Sequence, residues 1–285
     1  MPRTAPGIRP DIRARLTRLE AADPEWRPLV AILRATHALT VEPGPRPVLD
    51  PAGTSESAEP ILHRRTLRIP PGWARHAIRT LAIAAAESDR RIAPALEPAD
   101  ESRWPRLLAA ALSDDRQTMA AFAAELSAPV DIMTTLAGYA ATALLHRLSL
   151  TSHLSPLTSG YCPTCAAWPL FAEIRGIEQA YRLRCGRCGG DWAGEWLRCT
   201  FCGERDHARL GTLVQEAGPG AATVQHCATC SRYLKVIPVL TPSDPFELLV
   251  RDLETVDLDL SARGRGFAGP SELGFTLAVS VIESA

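Results

Sequence analysis

The chain has 285 residues, with 31 basic and 32 acidic side chains, and 46% of its residues are hydrophobic. This composition allows at least one sizeable core and two or three structural units. The near-zero net charge provides no long-range positive field, so we expect no nucleic-acid partner. We find no apolar signal segment at the amino end and no run of roughly 20 apolar residues, so we expect a cytoplasmic protein with no membrane span.

The first half of the chain carries helical patterns. Apolar residues recur at helical spacing between Asp11 and Leu39, with an interruption at Asp23-Pro24. Residues 40–60 are rich in proline, glycine and serine, which predicts a loop or linker. Further helices are predicted after Pro70-Pro71-Gly72 and over Trp104–Leu112, Arg116–Leu126 and Pro129–Leu150. We therefore expect residues 1–155 to form an all-helical bundle, and we find no nucleophile, base or phosphate loop there that would indicate an enzyme.

All eight cysteines lie between residues 162 and 230, in four pairs with two residues between the members. The pairs are Cys162/Cys165, Cys185/Cys188, Cys199/Cys202 and Cys227/Cys230. A turn of this kind aims two sulfurs at one cation, and a second turn completes a set of four thiolates. We therefore predict two metal ions, Zn or Fe, each bound by four cysteines. A reducing cytoplasm disfavours the alternative of four disulfides.

The spacing of the pairs predicts which of them share an ion. Nineteen residues separate the first two pairs, ten separate the second from the third, and twenty-four separate the third from the fourth. Each long interval can hold a β-hairpin, so we predict tandem pairing, with crossed or nested pairing left open. Gly189 and Gly203 follow their pairs, where a left-handed turn favours glycine, whereas Ala166 and Ser231 follow the other two.

Short aromatic and β-branched segments connect the cysteine pairs and predict strands. They are Ala172–Ile174, Tyr181–Leu183, Trp192–Leu197, Thr223–His226 and Tyr233–Val239. We predict a first ribbon over residues 156–197 and a second over 198–242. Residues 243–285 are expected to pack on the rest, through a helix that Asp244 caps and a following tail.

Other side chains near the cysteines have structural or functional interpretations. Trp168, Trp192, Trp196 and Tyr233 could form a recognition surface, but packing inside a small ribbon is favoured. His207 and His226 are not expected to bind metal, because eight thiolates already complete two sites. Arg182, Arg184, Arg187 and Arg198 flank the second and third pairs and are expected to offset the negative charge of the four-thiolate sites.

Four segments of the chain resemble the FdhE proteins, the accessory factors required for formate dehydrogenase maturation: YCPTCAAWPLFAEIRG, YRLRCGRCGGDWAGEWLRCTFCG, HCATCSRYLKVIPV and DPFELLVRDLETVDLDL. The resemblance implies an α+β fold, in which an N-terminal helical bundle precedes two tandem rubredoxin-like zinc ribbons and a C-terminal helix. It also implies a non-catalytic protein that contacts the catalytic subunit of a molybdenum or tungsten formate dehydrogenase before that enzyme is complete. The eight cysteines match the metal ligands of that family.

Three other functions stay open. Four thiolates around iron form a one-electron centre of the rubredoxin type, which would give a redox or electron-transfer protein. A nucleic-acid-binding zinc ribbon is less favoured, because residues 161–235 contain nine basic and seven acidic side chains and therefore no dense basic patch. A catalytic disulfide exchanger is disfavoured because its CxxC pair would stand at a helix amino terminus rather than between short strands.

Overall fold

The computed structural model describes residues 7–51, 59–88, 103–148, 160–214 and 222–284. By its internal contacts the chain divides into two compact units. Unit 1 comprises Met1–Ser55, Leu62–Thr151 and Leu277–Ala285, and unit 2 comprises Glu56–Ile61 and Ser152–Thr276. Three predicted features lie partly outside the described residues: the loop at 40–60, the end of the Pro129–Leu150 helix and the boundary near residue 155.

The helices and strands follow the sequence patterns closely. The described α-helices are α1 Pro10–Ala22, α2 Arg27–Val41, α3 Trp73–Ser88, α4 Arg103–Ser113, α5 Arg116–Glu125, α6 Val130–Arg147, α7 Pro245–Glu254 and α8 Val256–Gly264. The described strands are β1 Val48–Leu49, β2 Arg65–Ile69, β3 Phe171–Arg175, β4 Ala180–Arg184, β5 Asp191–Ala193, β6 Leu210–Val214, β7 Thr223–Cys227, β8 Arg232–Val239 and β9 Val279–Glu283. The predicted helices of the first half are all found. Strands β1, β2, β6 and β9 are not among the predicted strands, and the predicted strand Trp192–Leu197 is wrong beyond Ala193, where β5 ends.

Unit 1 combines helices α1 to α6 with a small sheet. Helix α2 packs against α3 and α6, and α4 packs against α6 and β9. The sheet has the order β1-β2-β9, and the pairing of β2 with β9 is parallel. The side chains of Leu67, Ile69 and Val281 from this sheet are buried. The predicted N-terminal helices are therefore confirmed. The expectation that residues 1–155 are all-helical is wrong, because β1 and β2 lie in this range and form a sheet whose last strand, β9, comes from the predicted carboxyl-terminal tail.

Local hydrogen bonds explain where several helices of unit 1 begin and end. At the predicted interruption, the Asp23 carboxylate accepts a hydrogen bond from the Glu25 amide and starts a single 3-10 turn between α1 and α2. The Asp115 carboxylate caps α5 by accepting from the Thr118 amide. At the end of α2, three backbone carbonyl oxygens accept hydrogen bonds from the buried guanidinium of Arg147. These contacts satisfy backbone groups that a helix end leaves unpaired.

In the described part of the chain, no single helix is long and apolar enough to cross a membrane. Helices α5 and α6 reach the required length and composition only when they are taken together, and the chain bends by 116° between them.

Unit 2 is built on a six-stranded sheet with the order β5-β4-β3-β8-β7-β6. Strands β3, β4 and β5 form the first ribbon, and β6, β7 and β8 form the second ribbon; within each ribbon all pairings are antiparallel. The two ribbons join at the centre of the sheet through β3 and β8, which run parallel with Phe171 opposite Lys235. The predicted class, α+β with two tandem ribbons, is therefore confirmed, and the ribbons share one continuous sheet.

Helices α7 and α8 cover one face of this sheet. The single helix predicted here is in fact two helices, with a break at Thr255. The predicted cap is confirmed, because the Asp244 carboxylate accepts a hydrogen bond from the Phe246 amide. Leu248 of α7 packs against Phe171 and Ile237. From α8, Leu258 and Ala262 pack against Val224 and Tyr233. Both ribbons thus contribute to the core beneath the helices.

Lys235, the only lysine in the chain, connects the sheet to both helices. Its side chain is 3% exposed, and its Nζ lies 2.6 Å from Asp252 Oδ1 of α7 and 2.7 Å from Asp259 Oδ2 of α8. The ammonium also lies 5.1 Å from the centroid of the Phe171 ring. The charge is therefore buried but paired, as a buried lysine requires.

A second buried ion pair lies in the first ribbon. The Glu173 side chain is fully buried and accepts hydrogen bonds at 2.9 Å from Arg184 Nη1. The same carboxylate accepts from the Ser243 amide at 3.1 Å, and Arg184 Nη2 donates to the Ser243 carbonyl oxygen at 2.8 Å. This network therefore joins β3 and β4 to the segment that precedes α7.

Candidate metal centres

The eight cysteines come together in two groups of four. Cys162, Cys165, Cys185 and Cys188 form the first cluster, and Cys199, Cys202, Cys227 and Cys230 form the second cluster. In each cluster the sulfur atoms all lie within 4.8 Å of one another. The tandem pairing predicted from the spacing is confirmed, and crossed pairing is wrong.

The sulfur positions fit a metal ion better than a disulfide. The Sγ atoms of Cys162 and Cys188 are 3.5 Å apart, and those of Cys165 and Cys185 are 3.4 Å apart. In the second cluster, the Sγ atoms of Cys199 and Cys230 are 3.7 Å apart, and those of Cys202 and Cys227 are also 3.7 Å apart. A tetrahedron of sulfurs about 2.3 Å from a zinc ion has edges of about 3.8 Å, whereas a disulfide bond is about 2.0 Å long. Each cluster could hold one metal ion. Four thiolates are suitable ligands for zinc and for iron. That these cysteines bind metal stays a prediction.

The turn at each cysteine pair has the same backbone conformation. The residue after each pair has a positive φ, at 62° for Ala166, 72° for Gly189, 79° for Gly203 and 54° for Ser231. The amide of Ala166 donates to the Cys162 carbonyl oxygen at 2.9 Å, and the amide of Gly203 donates to that of Cys199 at the same distance. The left-handed turn predicted at the two glycines is therefore also present at alanine and serine, where it is more strained.

Burial and mutual hydrogen bonds shift the pKa values of the thiols. In the first cluster, burial raises the pKa of Cys162, whereas hydrogen bonds from the other three thiols, that of Cys162 first among them, lower the pKa of Cys185. In the second cluster, burial raises the pKa of Cys199 to about 11. Burial also acts to raise the pKa of Cys227, but backbone amide hydrogen bonds within its turn and hydrogen bonds from the Cys202 and Cys199 thiols together outweigh it, and this pKa is lowered. Because metal ligation requires thiolates, we expect metal binding to release protons.

The two clusters differ in their exposure to solvent. In the first cluster three cysteines are buried and Cys188 is half-buried. In the second cluster Cys202 is exposed and Cys230 is half-buried. The second cluster therefore lies at the protein surface, where other molecules can approach it.

Both clusters lie at the same end of the sheet and contact each other through the segments around them. Strands β3 and β8 run parallel, and each begins beside its own cluster. The rings of Trp168, near the first cluster, and Phe201, within the third cysteine pair, have centroids 5.2 Å apart. The Arg232 guanidinium lies 5.8 Å from the Trp168 ring centroid and 5.6 Å from that of Phe201. Gly160 packs so closely on the Thr200 carbonyl that a Cβ at this position would overlap it.

The aromatic residues divide between packing and exposure. Trp192 and Tyr233 are buried, which confirms the packing interpretation for these two. Trp196 is 45% exposed, although its ring lies 4.9 Å from that of Tyr181. Trp196 therefore belongs to the surface of unit 2.

The flanking histidines and arginines also have defined surroundings. Neither His207 nor His226 belongs to a cluster, and the His226 imidazole stacks on the Phe267 ring at 4.2 Å. Three of the four arginines pair with carboxylates: Arg182 with Asp191, Arg184 with Glu173, and Arg198 with Glu195. That these arginines offset thiolate charge stays a prediction, and the carboxylates are partners that the sequence patterns do not predict.

A cavity of about 120 Å³ lies beside the second cluster. Its walls are the Leu197–Phe201 turn, residues 210–212 of β6, and Gln225, Leu234 and Arg232. No sequence pattern indicates this cavity, because it depends on β6, where Gly211 follows Leu210 and the strand shows no regular alternation of apolar and polar residues.

Comparison with known proteins finds a similar fold among solved structures. No protein-family model and no curated protein sequence matches the chain. Among solved structures, the crystal structure of the FdhE protein from Pseudomonas aeruginosa is similar, with a TM-score of 0.59 and 20% sequence identity over 93% of this chain and 94% of that chain. The chain is therefore FdhE-like in fold, with N-terminal helices followed by two four-cysteine ribbons.

Proposed function

We propose that this protein is a non-catalytic accessory factor for formate dehydrogenase, which binds the catalytic subunit of that enzyme in the cytoplasm during its maturation. The observation that carries the proposal is the pair of four-cysteine clusters within a fold like that of FdhE over 93% of the chain. The resemblance of the cysteine segments to the FdhE proteins supports the same conclusion.

In this proposal all eight cysteines bind metal, one ion in each cluster. A bound ion cross-links two distant turns, as in other structural four-cysteine sites. Four protein ligands leave no open position for water or substrate, so such a site is suited to holding a shape rather than to hydrolysis. The two ribbons at residues 156–197 and 198–242, which follow the helical domain at 1–155 in the sequence and precede the segment 243–285, then form a rigid recognition module.

Genetic complementation and direct binding test this proposal. Deleting the gene in a host that makes formate dehydrogenase should abolish the activity of that enzyme, and the wild-type chain should restore it. Cys165→Ser and Cys202→Ser should fail to restore it, whereas Ile177→Ser, at a position 99% exposed in a hairpin turn, should succeed. The purified chain should also retain the catalytic subunit in a pull-down under gentle conditions. Full enzyme activity in the deletion strain, together with no retention of the subunit, would refute the proposal.

A second candidate function is electron transfer by iron of the rubredoxin type. Two observations favour it: the second cluster reaches the surface at Cys202, and the Trp168 and Phe201 rings lie in contact between the clusters. Metal analysis and visible absorption of protein purified without oxygen decide between the candidates. A colourless protein that contains zinc would rule out the redox function.

A further inference from the structure

Strand β6 forms one outer edge of the six-stranded sheet. Within the described residues, no strand pairs with its outer side. Such an edge presents backbone N–H and C=O groups that can pair with another extended chain. The side chains of Thr212 and Val214 are exposed, the latter at 70%. One face of β6 is therefore exposed to solvent along its second half.

The opposite edge of the sheet, formed by β5, is protected against pairing with another strand, whereas β6 is not. Strand β5 has only three residues, and its Asp191 carboxylate forms ion pairs with Arg182 at 2.7 Å and Arg175 at 2.5 Å. Short length and charge are the usual protections of an edge strand. Strand β6 has five residues, with the sequence LGTLV, and carries neither a charge nor a proline. It thus lacks the features that normally prevent a further strand from pairing.

The cavity beside the second cluster lies along the same strand. Residues 210–212 of β6 form one wall, and Leu197, which is 61% exposed, stands on the other side. A peptide paired with β6 would direct alternate side chains toward the cavity face. A cavity of roughly 150 Å³ admits a benzene-sized group, so about 120 Å³ suits one aliphatic side chain.

A positive group also borders the cavity. The Arg232 guanidinium lies over the rings of Trp168 and Phe201, and among the described residues no carboxylate forms an ion pair with it. A guanidinium placed on aromatic rings keeps its N–H edge available for a carboxylate. The cavity therefore combines an apolar pocket with a site for an acidic group.

From these features we propose that β6 and the adjoining cavity form a docking groove for an extended peptide of a partner protein. The peptide adds a seventh strand to the sheet, places an aliphatic side chain in the cavity and sets a carboxylate against Arg232. The identity of the peptide rests on the proposed function. If that function holds, the peptide is a segment of the formate dehydrogenase catalytic subunit.

The second cluster contributes to the groove because Cys199 lies in the Leu197–Phe201 turn. A metal ion bound there would fix the position of this wall, since metal binding and local folding are linked. Docking at β6 therefore requires a metal-loaded second cluster. Removing metal from the second site should abolish binding of the peptide.

A peptide selection tests the groove without reference to any particular partner. The full-length, metal-loaded chain is immobilised and used to select from a library of random short peptides. We expect enriched peptides with an aliphatic residue and an acidic residue two positions apart, because alternate side chains face the cavity. Their binding should weaken about tenfold or more, or roughly 1.4 kcal/mol, in Thr212→Lys, which places a charge on the edge, and in Arg232→Met. Ile177→Lys, on a distant turn of the first ribbon, is the matched control and should bind normally.

Hydrogen exchange and metal content make the result decisive. The selected peptide should slow amide exchange at Leu210–Val214, and every variant used should retain the metal content of the wild type. Should Thr212→Lys lose metal, Val214→Lys replaces it as the edge variant. The groove is refuted if no peptide is enriched above background, if binding is equal in wild type and the edge variant, or if exchange slows elsewhere instead.

Binding assays with the purified catalytic subunit test the groove and the proposed function separately. If selected peptides bind at β6 but the subunit does not bind the chain at all, the groove stands and the proposed function fails. If the subunit binds wild type and Thr212→Lys equally well, the assignment of this groove to that partner is overturned. Loss of subunit binding in Thr212→Lys, with Ile177→Lys unaffected, supports both.

Discussion

Replacing Lys235 with methionine removes the one ammonium that joins the sheet to α7 and α8. Methionine keeps most of the side-chain length and its contact with Phe171, so the change chiefly removes charge. The carboxylates of Asp252 and Asp259, which lie 2.6 and 2.7 Å from Nζ in the wild type, then face each other without a cation. We expect this variant to be markedly less stable.

The size of the effect follows from the exposure of Lys235 and of Asp252. Removing one partner of a buried ion pair costs roughly 3–5 kcal/mol. The lysine is 3% exposed, but the Asp252 side chain is 37% exposed and can regain water, so we expect a loss near the lower limit, about 3 kcal/mol. For a chain of this length, that loss corresponds to a decrease in Tm of roughly 6–12 °C.

The pH dependence of the variant provides a second check. Burial already raises the pKa of Asp252 in the wild type, and loss of the Lys235 ammonium should raise it further. A carboxyl group whose pKa is higher in the folded than in the unfolded state destabilises the fold above that pKa. The difference in stability between variant and wild type should therefore shrink as the pH falls through the raised pKa.

Thermal or urea unfolding measures the loss, and amine labelling localises it. Because Lys235 is the only lysine, an amine reagent that modifies a side chain reports directly on the opening of this contact. Asp259→Asn should accelerate the labelling. Arg209→Met, which removes a 58% exposed cation 3.9 Å from Asp206, is the control and should cost less than about 1 kcal/mol. The reasoning is refuted if Lys235→Met is as stable as Arg209→Met.

Three further changes have defined outcomes. Gly160→Ala should displace the Thr200 carbonyl, cost roughly 1–3 kcal/mol and weaken metal binding at the second cluster more than at the first, as metal titration of the variant would show. Asp115→Ala removes the α5 cap and should cost about 1 kcal/mol at neutral pH. Because hydrogen bonds from Thr118 lower the pKa of Asp115 from its usual value, urea unfolding should show this contribution disappearing only as the pH falls through that lowered pKa. A chromophoric chelator should remove metal from the second cluster first, because Cys202 is exposed; a single release rate for both sites would contradict this.

Features set by local sequence were predictable. The spacing of CxxC pairs fixes the two clusters, because each turn needs only four or five consecutive residues to orient its sulfurs. Asp23-Pro24 and Asp244-Pro245 mark helix starts through capping and the fixed φ of proline, and both are found in the structure. The tandem arrangement also followed from sequence, since a hairpin can close only over an interval of sufficient length.

Features set by distant contacts were not predictable from these patterns. Strands β2 and β9 pair although most of the chain separates them in sequence. The periodicity of neither segment indicates which strand it pairs with. The ion pairs of Lys235 and Glu173 depend on residues that lie far away in sequence. The cavity beside the second cluster forms only where β6, the Leu197–Phe201 turn and Arg232 come together in the fold. The sequence of no single one of these segments predicts that contact.

The parallel pairing of β3 with β8 has a consequence for synthesis of the chain. The earliest strand of the double ribbon obtains its central neighbour only when the latest strand has emerged from the ribosome. Until then β3 pairs only with β4, and its side that later faces β8 lacks a partner, even if the first cluster already holds its ion. Metal capture can therefore begin before the sheet closes, and a chain terminated between the two ribbons would carry a filled site on an incomplete sheet.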